Sequence, residues 1–321
     1  MPDGTDLLVI GECVADIVRL PGSADRVHPG GSPANVACGL ARLGHPTTLL
    51  TQLGADGHGR LIRGHLAGAG VEVRTDGADV ATPSAAVTLD GAGRASYAFA
   101  IGWSLGPVAP DRTPGHVHTG SIAAVTAPGS STVLAAVESL RAAATVSYDP
   151  NVRPVLMGDH AEAVRRVEHC VALADVVKAS DEDLAWLYPG EDPVRAAGRW
   201  LGRGPRLVLV TRGADGACAL LPGGPLTVQA PPVAVADTVG AGDAFMSGVL
   251  HALAGRGLLG AAARERLRSP DRATVTDVLR YAVASAAVTV SRAGASPPDA
   301  AELEAALGGV TGSSGHGPRR E

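Results

Sequence analysis

The run Asp237-Thr238-Val239-Gly240-Ala241-Gly242-Asp243, followed by Ala244-Phe245-Met246-Ser247-Gly248, carries the sharpest chemical signal in this chain. Strand-like residues precede it and an apolar helical stretch follows. Two glycines at a helix start let the backbone approach a ligand closely. The free N–H groups of that first turn, at the positive end of the helix dipole, form an anion site. A carboxylate in the same turn opposes an anion unless it removes a proton from an attacking hydroxyl. Phosphoryl transfer to an alcohol needs that pairing of backbone donors with one base, here Asp243. A helix cap is the plain reading of an isolated Gly-x-Gly-Asp. Seven specified positions with Phe245 behind them favour the base.

A second cluster, Gly30-Gly31-Ser32-Pro33-Ala34-Asn35 with Gly44 and Gly54 after it, suits a small polar ligand. Backbone N–H groups and a side-chain amide would face its hydroxyls. One of the chain's two asparagines sits here. A turn plus a helix cap explains the same residues, and this cluster alone does not decide.

These motifs need elements to hold them. Strand-like runs occur at 7–12, 47–54, 116–122, 145–150, 176–180 and 206–213. Helical stretches lie between them at 59–67, 132–143 and 161–172, then from 181, at 242–254 and at 274–290. Ser32-Pro33 reads as an N-cap with Pro at the first helical position, in a helix closed by Gly44. The alternation predicts an α/β fold with a mostly parallel central sheet and helices on both faces. Segments 13–29 and 83–101 break it, with strand-like runs and no helix. Period-two alternation around Asp90-Gly91 signals a hairpin. A small antiparallel sheet attached near strand ends is expected to act as a lid. The predicted domain is 1–307, and the Gly/Ser-rich stretch 308–321 reads as a flexible tail.

Composition narrows the class. The 321 residues are 45% hydrophobic and 18% charged, with a net charge of −5. That balance predicts a globular chain with no nucleic-acid partner. No apolar run approaches the ~20 residues of a membrane span. The first residues are acidic where a signal peptide needs basic ones. The four cysteines show neither a CxxC nor zinc spacing, which predicts a reduced, cytoplasmic protein with core thiols. Of 27 basic residues, Lys178 is the single lysine. No GxxxxGK[ST] occurs, which removes a P-loop, and no GxGxxG follows the first strand. Gly102-Trp103-Ser104-Leu105-Gly106 fits a GxSxG, but Pro107 and Pro110 follow where a nucleophile elbow needs a helix.

The Gly30–Asn35 and Asp237–Asp243 segments resemble the two signatures of the ribokinase/PfkB carbohydrate kinases, over roughly residues 5–305. The resemblance implies a ribokinase-like fold and an ATP-dependent, Mg²⁺-requiring kinase acting on a primary hydroxyl of a small sugar. Asp243 matches the family's base, and Gly240, Ala241 and Gly242 match the anion hole. Asp16, in Gly-Glu-Cys-Val-Ala-Asp, matches an acidic residue that binds sugar hydroxyls, with Gly30, Gly31 and Asn35 beside it. Thr211, Gly213 and Gly216 match the loop around the ATP phosphates and ribose. Asp237, Val239, Thr289, Arg292 and Gly294 lie where the family supplies oxygens to a monovalent cation such as K⁺.

The chain departs from the family at one motif. Ser180-Asp181-Glu182-Asp183 stands where an Asn-x-x-Glu usually organises Mg²⁺ and phosphate, so Ser180 would serve ATP and Asp183 Mg²⁺ through water. That variant, with Asp149-Pro150-Asn151-Val152-Arg153-Pro154, resembles the bacterial fructokinase branch. Arg153 faces a sugar, a carboxylate or a surface ion pair, and the residues leave these open. Fructose is the leading acceptor, with 2-keto-3-deoxygluconate, another sugar acid or a nucleoside as alternatives. Phe99 and Trp103 are the lid side chains expected to set the choice. A non-catalytic sugar-binding regulator would be expected to lose the base or the glycines, and both are present. The resemblance also implies a homodimer paired through the lid.

Overall fold

Leu7–Ile10 (β1) is apolar at every position because both faces of this strand are covered. In the computed structural model, which describes residues 5–20, 22–89, 95–221 and 223–311, β1 lies inside a nine-stranded sheet. The other strands are β2 (Val14–Arg19), β3 (Arg26–Gly30), β4 (Thr47–Leu50), β5 (Val71–Arg74), β6 (Ser84–Leu89) and β7 (Ala95–Ala100). Next come β8 (His116–Gly120), β9 (Thr145–Asp149), β10 (Val176–Ser180), β11 (Leu207–Thr211), β12 (Ala217–Leu220) and β13 (Leu226–Val228). The large sheet runs β13-β12-β11-β10-β9-β8-β1-β4-β5. From β11 to β5 every pairing is parallel, and β12 and β13 add an antiparallel edge that the periodicity did not announce.

The helices are α1 (Ser32–Arg42), α2 (Gly57–Gly68), α3 (Gly129–Leu140), α4 (Pro154–Met157), α5 (His160–Leu173) and α6 (Asp181–Leu187). They continue with α7 (Pro193–Gly198), α8 (Ala241–Gly255), α9 (Arg264–Arg268), α10 (Arg272–Val290) and α11 (Ala300–Thr311). Two apolar cores form, one on each face of the large sheet. The first joins Leu7, Val9 and Leu49 to α1, α8 and α10, and the second joins Leu8, Ile10 and Val117 to α3 and α5. Each fully buried large aliphatic side chain contributes about 1.5–3 kcal/mol. Helices α8 and α10 cross closely because position 248 is glycine: a Cβ there would stand 2.9 Å from the Ala282 Cα. Among the described residues α10 is the one helix long and apolar enough to cross a membrane, and half of it is buried inside the protein, as in a core helix.

Segments 13–29 and 83–101 do form a second sheet, ordered β3-β2-β6-β7. The β2–β3 and β6–β7 pairs are antiparallel, as the alternation predicts, while the seam between β2 and β6 is parallel. The turn at Asp90-Gly91 lies outside the described residues. Trp103 is not on this sheet's open face. It is 2% exposed, and its indole N–H donates to the Ala123 carbonyl at 3.0 Å, so it is a core residue rather than a lid side chain. Helix α11 runs to Thr311, into the segment read as tail, and 312–321 lie outside the described residues.

The strand order reverses at the β1/β8 pair: β4 and β5 follow on one side, β9 to β11 on the other. Such a reversal opens a crevice at the carboxyl ends of the strands. The second sheet begins after three intervening residues beyond β1 and stands over that crevice.

Candidate active site

A cleft of about 1230 Å³ occupies this position. Its walls include Asp16, Gly31, Asn35, Phe99, Arg153, Ser180, Asp183, Thr211, Gly213, Gly216 and Val239, and the α8 start from Gly240 to Asp243. Residues from both motifs, read separately in the sequence, therefore share one cavity.

Gly240 adopts φ 77°, ψ 1° and precedes α8 with no side chain capping the helix. That left-handed turn suits glycine and brings the first turn of α8 into the cleft wall, with the Ala241 N–H donating to the Thr238 carbonyl at 3.3 Å. Asp243 sits in the same turn, 8% exposed. Ser32 Oγ donates to its Oδ1 at 2.7 Å, and Asn35 Nδ2 donates to its Oδ2 at 2.8 Å. Burial raises the Asp243 pKa, while these two hydrogen bonds and the charges of Lys178 and Arg153 oppose the rise. The result is a fixed carboxylate with raised basicity.

Ser32 does not cap α1. The cap position is Gly31, at φ 102°, with Ser32 and Pro33 already inside the helix. Glycine takes that place because a Cβ would lie 2.5 Å from the Glu12 carbonyl oxygen. The hydroxyl released from capping is the one that orients Asp243. Gly31→Ala is therefore expected to destabilise the protein by at least about 1–3 kcal/mol, the cost of a strained backbone position, with the steric clash added. Chemical denaturation measures this, and an unchanged midpoint would contradict the close approach.

Lys178, Asp149 and Glu12 were not singled out as site residues from the sequence. Lys178 Nζ donates to Asp149 Oδ2 at 2.8 Å, and both residues are buried. A Cβ on Gly242 would stand 2.9 Å from this ammonium, so Lys178 lies against the first turn of α8. Burial disfavours its charge, but Asp149, Asp183 and Asp243 outweigh burial and raise its pKa. Burial pushes Asp149 up to about 6 against the pull of Lys178. Glu12, at the end of β1, is 2% exposed and accepts from the Ala123 N–H at 3.1 Å. Burial raises it to about 7, partly offset by hydrogen bonds from Ser121 and Ala123, and the Asp243 charge adds to the rise. The one available signal was a lone lysine inside the apolar run Val-Val-Lys-Ala-Ser, since a charge there needs a buried partner.

The remaining predicted residues divide by position. Burial raises the Asp16 pKa, and His28 and Arg153 draw it back. Gly30 is not a wall residue: a side chain there would collide with the Asp16 carboxylate, so this glycine makes room for Asp16. Phe99 is 44% exposed and stacks on Tyr97, itself 68% exposed, with ring centroids 6.4 Å apart. Arg153 folds onto its own backbone and donates to the Val152 carbonyl at 3.0 Å.

Ser180 and Asp183 form a capping box at the start of α6. Asp183 Oδ1 accepts from Val152 N–H at 2.8 Å and Oδ2 accepts from Ser180 N–H at 2.9 Å. Each oxygen keeps a further lone pair, a hard donor suited to a hydrated divalent cation. Asp237, Thr289, Arg292 and Gly294 lie behind the loop rather than in the cleft wall. Asp237 accepts from Val239 N–H at 3.0 Å and Gly294 N–H at 2.9 Å, which ties the two segments together. Thr289 Oγ1 donates to Ser285 O at 2.9 Å, and the Arg292 guanidinium is held by Glu302 at 2.8 Å and 3.2 Å.

Comparison with known proteins places the chain in a family. The pfkB family carbohydrate kinase profile matches residues 4–301. A fructokinase from Klebsiella pneumoniae is 38% identical over 262 residues, covering 78% of this chain and 85% of that protein. The crystal structure of fructokinase from Xylella fastidiosa with bound ATP superposes with a TM-score of 0.82 at 29% identity, covering 95% and 99% of the two chains. A fructokinase double mutant from Vibrio cholerae, in a form with bound fructose, ADP and potassium ion, gives 0.77 at 28% identity, covering 94% and 98%. A buried carboxylate at an uncapped helix start, an adjacent lysine and a reversal-point cleft occur here in a chain that belongs to the pfkB family of carbohydrate kinases.

Proposed function

We propose that this ATP-dependent sugar kinase phosphorylates a primary hydroxyl of fructose. The observation that carries the reading is the Asp243 carboxylate, fixed by Ser32 and Asn35 beside the α8 N-terminus and Lys178. The acceptor hydroxyl lies between Asp243 and the γ-phosphorus. Asp243 takes its proton as the oxygen attacks, and ADP leaves on the opposite side. The N–H groups of Gly240, Ala241 and Gly242, with the Lys178 ammonium, stabilise the charge on the transferring group.

Asp16, Gly31 and Asn35 bind sugar hydroxyls, Gly30 gives Asp16 its space, and Phe99 and Arg153 close the wall. Thr211, Gly213, Gly216 and Ser180 hold the nucleotide. Mg²⁺ would be held by Asp183 through water, and it would neutralise phosphate charge there. The oxygens of the Asp237–Val239 and Thr289–Gly294 segments, Arg292 included, would hold K⁺ behind the anion loop and order it. Strand β7 is an edge strand exposing Tyr97 and Phe99, which supports a homodimer paired through the lid sheet. The four cysteines are buried free thiols, in keeping with the reducing cytoplasm.

A sugar acid is the second reading. Arg153 supports it, because this cleft-lining guanidinium donates to backbone carbonyls at 3.0 Å and 3.4 Å and has room to meet a carboxylate. An ATP-consumption screen over sugars, sugar acids and nucleosides decides. Fructose is expected to give the highest kcat/KM, with activity abolished by excess EDTA and higher in K⁺ than in Na⁺. A tenfold win for a sugar acid or nucleoside would overturn the acceptor and leave the kinase standing.

A further inference from the structure

Among the described residues, two that are not glycine hold a left-handed backbone: Ser121 at φ 54° and Asn151 at φ 36°. Every other described position with positive φ is glycine, in a chain that contains 42 of them. Glycine enters that region without steric cost, whereas a side chain there strains the backbone. Both residues stand in the cleft wall. Ser121 follows β8 directly and Asn151 lies two residues beyond β9, at the carboxyl ends of adjacent parallel strands. Asn151 Nδ2 donates to Ser121 Oγ at 3.4 Å, so the two strained residues meet. Side chains held at strained positions inside a binding cleft point to a use for the side chains.

The strand order says which half of the cleft they serve. Along the cleft the large sheet presents Thr211 on β11, Ser180 on β10, Asn151 after β9, Ser121 after β8 and Glu12 after β1. Neighbouring strands lie ~4.8 Å apart. The pair therefore stands one and two strand spacings from Ser180, toward Glu12 and away from the nucleotide loop. Glu12 adjoins Ser121 and accepts from the Ala123 N–H at 3.1 Å. A carboxyl group at this end disfavours phosphate oxygens. A neutral amide and a hydroxyl suit a sugar hydroxyl, which both donates and accepts. Asp149 Oδ1 accepts from the Asn151 N–H at 3.1 Å and fixes the turn. Asn151 itself is half-buried, and its Oδ1 has no partner among the described residues.

We propose that Asn151 and Ser121 form a hydroxyl-binding pair for the acceptor, holding a sugar hydroxyl other than the one that Asp243 deprotonates. Asn151 Oδ1 accepts the hydrogen of that hydroxyl, and the sugar oxygen displaces the loose 3.4 Å contact between the two side chains. The strain at both positions is the cost of placing these polar groups at the strand ends. This inference rests on the fructose reading and adds two specificity-determining residues to it.

The test uses Asn151→Gly and Ser121→Gly, because glycine relieves the strain and removes the side chain in one change. Each variant is expected to raise the fructose KM about two- to tenfold, the scale of one net hydrogen bond, with the KM for ATP unchanged. The thermal midpoint is expected to stay level or rise, the opposite of what a structural role for these side chains predicts. Monodeoxy analogues of fructose supply the second arm. One analogue should lose affinity with the wild-type protein and lose nothing further with Asn151→Gly, since the contact is already gone. Penalties that simply add for every analogue would overturn the proposal even if a variant is less stable. A rise in the KM for ATP instead of fructose would assign the pair to phosphate and overturn it as well. Unchanged fructose KM in both variants overturns the pair while the fructose reading survives, whereas a wild-type protein inactive on fructose overturns both.

Discussion

Asp243→Asn is expected to lower kcat by at least about 10²–10⁴-fold, the usual contribution of a general base. The structure makes this substitution clean. The new amide can accept from Asn35 Nδ2 with its oxygen and donate to Ser32 Oγ with its nitrogen, so both contacts to the buried side chain survive. Binding of ATP and sugar, and the thermal midpoint, should therefore change little. Because burial raises the Asp243 pKa, the acid limb of the wild-type kcat/KM profile should lie above the range of an ordinary carboxylate. Steady-state rates, binding calorimetry and thermal melts on the same preparation test this. Near-wild-type turnover in the variant would remove Asp243 as the base.

Lys178→Met is expected to damage stability and turnover together, for separable reasons. Asp149 is fully buried and loses the ammonium 2.8 Å away. Breaking a buried pair by removing one partner costs about 3–5 kcal/mol, because the remaining charge has no counterpart. The double variant Lys178→Met/Asp149→Asn removes both charges and should regain most of that stability. It should not regain kcat, since the cation against Gly242 is still missing. Denaturant midpoints and rates for the single and double variants separate the two effects. Recovery of turnover in the double variant would show that Lys178 serves folding alone.

The parallel core was legible because strands buried on both faces read as unbroken apolar runs, as in Leu-Leu-Val-Ile and Leu-Val-Leu-Val. The α8 start was legible because Gly240 and Asp243 obey local rules of helix entry. Residues governed by distant contacts were not. Ser32 satisfies every local rule for a cap, yet Gly31 takes that role because Glu12, far away in sequence, crowds the backbone. Glu12 and Lys178 sit in strands or at their ends, where polar residues ordinarily mark solvent, and their separate partners, the Ala123 N–H and Asp149, depend on which strands are neighbours. Trp103 lies between the lid sheet and a proline-rich loop, and only its hydrogen bond to Ala123 places it in the core. β12 and β13 are short; β12 turns back on β11 at the tight turn around Gly213–Gly216, and β13 then pairs antiparallel with β12.

The division between the two sheets has an evolutionary reading. Asp16 and Phe99 stand on the four-stranded sheet, whereas Lys178 and the loop after β11 belong to the large one, and Asp243 to helix α8. Substitutions on β2, β3, β6 and β7 can reshape the side of the cleft that carries Asp16 and Phe99 while the parts proposed to handle phosphate stay as they are. A lineage built this way can change its diet without reinventing its chemistry. The glycines at 30 and 31 mark where that freedom ends, because there the chain returns from the small sheet into α1 and any side chain would strike Asp16 or the Glu12 backbone.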